Sequence, residues 1–101
     1  MTKKKLIRLR TELEELKRRR RNRSDRNLTS FAGKIGRRLF SRGDHPTYVS
    51  DLLPNRNPIS IPAHHGNVPV GTAGNILDQF EADLDLLEES LTEEATDEKE
   101  E

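Results

Sequence analysis

The chain has 101 residues, 31% of them hydrophobic, 36% charged and 4% aromatic, enough for one domain and too polar for all of it to enter a core. It contains no cysteine, which excludes a disulfide scaffold, a thiolate zinc site and a cysteine nucleophile. Its net charge of zero hides a strong segregation: residues 1–26 carry twelve Lys and Arg against four acids, a net +8, whereas residues 77–101 carry twelve acids against Lys99, a net −11. Such asymmetry points to charged partners or to mutual attraction of the two ends.

In chain order, residues 2–21 read as an amphipathic helix. Leu6, Leu9, Leu13 and Leu16 recur at steps of 3, 4 and 3 and share one stripe. The stripe is too short for a stable isolated coiled coil, so it is expected to dock loosely on the domain or on a symmetry mate. Lys17–Arg21 is a run of five basic residues, either a nucleic-acid arm or a solvated face. Residues 22–27 read as a linker. Leu28, Phe31, Ala32 and Ile35 then mark the face of a short helix, capped by Asn27 or Thr29 and ended by Gly36.

Three short strands follow: Leu39–Ser41, Thr47–Ser50, and Ile59–Ser60–Ile61 between Pro58 and Pro62, with a turn at Leu53–Asn57. Thr72 is the expected cap of the longest helix, whose apolar positions are Ile76, Leu77, Phe80, Leu84, Leu87 and Leu91. The acids of residues 78–89 are expected on its solvated face. Beyond Leu91 no apolar periodicity remains. The reading is therefore α+β: a basic helical extension and linker over 1–27, an α-β-β-β-α domain over 28–91 with helices on one face of a small antiparallel sheet, and a disordered acidic tail over 92–101.

Motifs for chemistry are sparse. Gly66 and Gly71 have the G-x4-G spacing of a phosphate loop, but Thr72 follows at once where a lysine is needed, which excludes a nucleoside-triphosphatase loop. A helix start at Thr72 still offers free N–H groups to a phosphate. His45, His64 and His65 can serve acid–base chemistry. His64 and His65 are adjacent and point to opposite sides of an extended chain, which disfavours a metal site. No metal or cofactor is expected. No apolar run can span a bilayer, and the basic N-terminus lacks the apolar stretch of a secretory signal, so a cytoplasmic protein without membrane contact is expected.

One constellation is specific. Gly43–Asp44–His45–Pro46–Thr47–Tyr48 precedes a strand, and Ile61–Pro62–Ala63–His64–His65–Gly66 leads to Gly71–Thr72 and Ile76–Leu77–Asp78–Gln79. Over roughly residues 28–80 this pattern resembles the HicA-type toxins of prokaryotic toxin–antitoxin systems. The resemblance implies a fold like that of a double-stranded-RNA-binding domain. It also implies a metal-independent endoribonuclease (an mRNA interferase) with His45 as its catalytic histidine and an antitoxin of the HicB type as partner. On this reading Arg37, Arg38, Arg42 and His64 hold RNA, with a further phosphate at Thr72. Asp44 stands where the family has serine. A second reading follows from that residue and from the basic N-terminal block: a non-catalytic RNA-binding or protein-interaction adaptor with a degenerate site. The acidic tail is expected to fold back on the basic segment and compete with RNA.

Overall fold

The computed structural model describes the backbone of residues 2–18, 25–42, 46–62 and 68–100, and the side chains of all of these but 25 and 92–100. The elements are α1 (Lys3–Arg18), α2 (Asp25–Lys34), β1 (Arg37–Ser41), β2 (Thr47–Ser50), β3 (Ile59–Ser60) and α3 (Val70–Glu100). The strands form an antiparallel meander in the order β1-β2-β3, and the helices pack on one another and on the sheet. The fold is the expected α+β arrangement, with one helix more in its core than anticipated.

That helix is α1. Thr2 opens it, accepting the Lys5 N–H on its hydroxyl at 3.1 Å. Leu6, Leu9 and Leu13 are all buried and belong to the same cluster as Leu28, Phe31, Phe80 and Leu84. The segment is thus part of the domain and not a loosely docked extension. Three buried leucines are worth about 1.5–3 kcal/mol each, so apolar burial dominates its attachment. Charge sets its direction. Arg10 meets Asp85 at 2.8 Å and Glu88 at 3.3 Å, and Lys17 meets Glu81 at 2.7 Å. Residue numbers rise along α1 as they fall along α3, so the two helices run antiparallel. The pairs are part-exposed and contribute at most about 1 kcal/mol each. The hydrogen bond to Asp85 chiefly raises the Arg10 pKa above its ordinary value. The expected attraction between the basic and acidic ends is therefore realised inside the fold, along the α1–α3 seam.

α2 starts at Asp25, ahead of the expected caps. The Thr29 hydroxyl instead donates to the Arg26 carbonyl at 3.1 Å. Gly36 ends the turn with φ of 92°, a conformation that L-residues avoid because of their Cβ. The change of direction sends the chain into β1 and brings the Gly36 carbonyl to the Asp51 N–H at 3.1 Å. Phe31 on α2 packs against Phe80 on α3, ring centroids 5.3 Å apart and tilted by 45°, a favourable aromatic geometry.

In the sheet, Arg37 faces Ser50, and Leu39, Tyr48 and Ile59 stand in one row across the strands. Partners directly opposite share a face, so this row and Arg37 look toward the helices. Arg38 with Val49, and Thr47 with Ser60, form the other face. The register shifts between Leu39 and Ser41, and Phe40 at this irregularity is exposed. β3 is only two residues long, with a proline close on either side.

α3 departs from expectation at both ends. Its first intrahelical bond runs from the Ala73 N–H to the Pro69 carbonyl at 2.8 Å. Thr72 therefore sits inside the first turn and is not the cap. The helix also continues to Glu100, where a tail without structure was expected. Extending an existing helix adds one hydrogen bond per residue fixed, and Glu, Lys and Ala are good helix formers, so an apolar face is not required.

Two predictions test this packing. Leu13→Ala should cost about 2–5 kcal/mol in urea unfolding, whereas an α1 docked loosely on the surface would lose under 1. Gly36→Ala should cost about 1–2 kcal/mol through its backbone conformation. A Cβ there would also meet Leu52 Cδ1 at 2.6 Å. Leu52 is an exposed, flexible side chain that can move, so adding Leu52→Ala should recover little of the loss.

Candidate nucleic-acid interface

The sheet brings Pro46 and Ile61, which lie next to the histidine-bearing segments in the chain, to one end. Residues 42–46 connect β1 to β2 in the chain, and the Pro46 carbonyl accepts the Ile61 N–H at 3.1 Å. The strand leaving β3 toward residues 63–67 is thus bonded to the residue that follows position 45. His45, His64 and His65 themselves lie outside the described residues, but their chain connections leave from the same edge of the fold. Val68 is buried beyond the second segment and anchors the approach to α3.

The expected RNA-binding residues divide sharply. Arg37 is corrected from a phosphate ligand to a core residue. Its side chain is fully buried, and its guanidinium grips both Asp83 oxygens, Nε to Oδ2 at 2.6 Å and Nη2 to Oδ1 at 3.0 Å. Its remaining nitrogen donates to the Tyr48 carbonyl at 2.9 Å and to the Asn57 carbonyl at 3.2 Å. Every nitrogen of the fork is engaged, so none is left for a phosphate. Arg56 joins from the turn, its Nε donating to Asp83 Oδ1 at 3.0 Å. Asp83 is likewise a correction, since the acids of 78–89 were expected on a solvated face and this one is enclosed by two guanidiniums.

Arg38 and Arg42 remain exposed. Arg38 donates from Nε to Asp51 at 2.8 and 2.9 Å on the sheet face turned from the helices, leaving its two terminal nitrogens for another anion. Arg42 follows β1 directly. Thr72 is half-buried in the first turn of α3, where N–H groups are not yet used within the helix. The structure thus brings Arg42 to the edge from which both histidine segments leave, holds Arg38 on the open sheet face, and removes Arg37 from the set.

Among the described residues there is no group of three or more His, Asp or Glu arranged to hold a metal ion. No helix among them is long and apolar enough to cross a membrane.

The buried triad was missed at the sequence level, although a signal was present. Asp83 follows Phe80 by three and precedes Leu87 by four, so it falls on the apolar stripe. An acid there requires a buried cation. Asp83→Ala should destabilise the protein by about 3–5 kcal/mol, because it strands buried charge. Replacing Arg37 and Asp83 together by Met and Leu should cost clearly less than either single change in the same urea titration.

Compared with family models, curated proteins and solved structures, the chain matches none of them.

Proposed function

We propose that the protein binds RNA and cleaves it without a metal, as an endoribonuclease of the mRNA-interferase type. His45 takes the proton of a 2′-hydroxyl as that oxygen attacks the adjacent phosphorus. The new 2′-O–P bond forms as the P–O5′ bond breaks, and the departing 5′-oxygen takes up a proton. Arg42 and the free nitrogens of Arg38 hold the phosphate chain, with N–H groups of the first turn of α3 as a further contact. A HicB-like antitoxin is the corresponding protein partner.

The observation that carries this reading is the Pro46–Ile61 hydrogen bond. It ties together the two segments whose residues resemble the HicA-type motifs, at an edge that also carries an exposed arginine. Phe40 is the one Phe that is exposed among the described residues, too little for a stacking platform, which suits recognition of RNA by shape and backbone.

The test is incubation of the folded, antitoxin-free protein and its His45→Ala variant with a structured messenger RNA in EDTA. Cleavage by the parent, reduced about 100-fold or more in the variant, is the expected result, given the usual weight of a general acid–base group. Intact RNA with both proteins, together with salt-sensitive binding, would replace this reading with the non-catalytic adaptor.

A further inference from the structure

α1 carries two sets of cations, and the fold treats them differently. Arg10 and Lys17 face α3 and are matched by Asp85, Glu88 and Glu81. The other set, Lys4, Lys5 and Arg8, joins Lys34 of α2 to line an open groove of about 530 Å³ around Glu12, between α1 and the end of α2. Glu12 is the only acid in that lining, and Lys34 reaches across to it at 2.6 Å. Four cations against one carboxylate leave the groove at net +3. Lys4, Lys5 and Arg8 are exposed, and no ion pair joins them to an acid among the described residues. Leu9 forms an apolar floor.

We infer that this groove is a second RNA contact, a backbone-binding site for the phosphates of a duplex stem, resting on the RNA-binding reading above. Three observations favour a polyanion. The acids of α3 neutralise only the opposite flank of α1, so the positive field is directed outward on this side. The cations come from two helices, so they line a channel and not a single stripe. The first turn of α1 also borders the groove at Thr2, and its N–H groups and dipole add positive potential there. The absence of aromatic side chains from the lining speaks against stacking on unpaired bases and for contact with a regular backbone.

The groove is also remote from the candidate chemistry. Lys34 precedes Arg37, the first residue of β1, by three, at the end of the sheet away from Arg42 and Pro46, and five strand residues span roughly 16 Å. It therefore contributes to affinity and to the length of RNA engaged, and takes no part in proton transfer.

The experiment titrates the full chain, its Lys5→Ala/Arg8→Ala double variant and its Glu12→Gln variant with a fluorescent 2′-O-methylated RNA hairpin, which lacks the attacking hydroxyl and stays intact, between 50 and 200 mM KCl. For the double variant the expected result is weaker binding, with a log–log salt slope shallower by about two, since each phosphate contact on a duplex contributes about 0.9. Glu12→Gln should bind several-fold more tightly at low salt, a gain that damaged folding would not produce. If the parent binds RNA and both variants keep its affinity and slope, the groove is not an RNA contact while the RNA-binding reading stands. If the parent itself does not bind the hairpin even at 50 mM KCl, both fall together.

Discussion

One carboxylate organises the molecule. Asp83, on a helix stripe otherwise made of Ile, Leu and Phe, is completely enclosed and receives Arg37 from β1 and Arg56 from the turn before β3. A buried charge without partners is prohibitively costly, and even a paired one gives back much of its Coulomb energy as desolvation. An apolar trio of equal volume would hold the layers together about as firmly. What the ions add is direction. The two parallel bonds of the fork, with the further bonds of Arg37 to the carbonyls of Tyr48 and Asn57, admit only one position of the three-stranded sheet along α3. A slip of one residue would turn Arg37 to the outer face and leave Asp83 stranded. The edge from which the histidine segments leave is positioned relative to α3 by this constraint.

The parts of this arrangement that periodicity governs were legible. The apolar steps of α2 and α3, the strand Thr47–Ser50, the turn after Leu53 and the glycine that ends α2 follow from side-chain spacing and backbone permissiveness. What covers a stripe is not encoded in the stripe. Leu6, Leu9 and Leu13 announce an apolar face, but only the fold reveals that α3 offers a matching one. Arg37 illustrates the opposite difficulty. A pair of arginines at the start of a strand has the same composition whether it faces solvent or the core, and the alternation of the strand sends Arg37 inward and Arg38 outward. The start of α3 was misread because Thr72 is a good cap by type, while Pro69 ends the preceding segment and supplies the first carbonyl. The histidines lie outside the described residues, so His45, His64 and His65 rest on motif and connectivity.

Charge segregation also takes on a more specific meaning. A chain with +8 at one end and −11 at the other suggests two independent tails. In the fold the acidic helix is laid against the basic one, and only the cations turned away from the seam keep their field. Among the described residues, the α1–α2 groove and the exposed arginines of the sheet are two places that keep positive potential in a chain neutral overall.

The antiparallel seam has a consequence for how the chain acquires its structure. Arg10 and Asp85 are 75 residues apart, so the contacts that bury α1 are among the most distant in sequence and form against the largest loop-closure entropy. During synthesis, at about 5–20 residues per second, α1 is complete for roughly 4–15 seconds before the stretch of α3 that covers it has been made. Through that interval its leucines, Arg10 and Lys17 lack the partners that α3 supplies. The nascent chain is then a basic amphipathic segment open to any acidic or apolar surface nearby, and it loses that promiscuity only when α3 arrives.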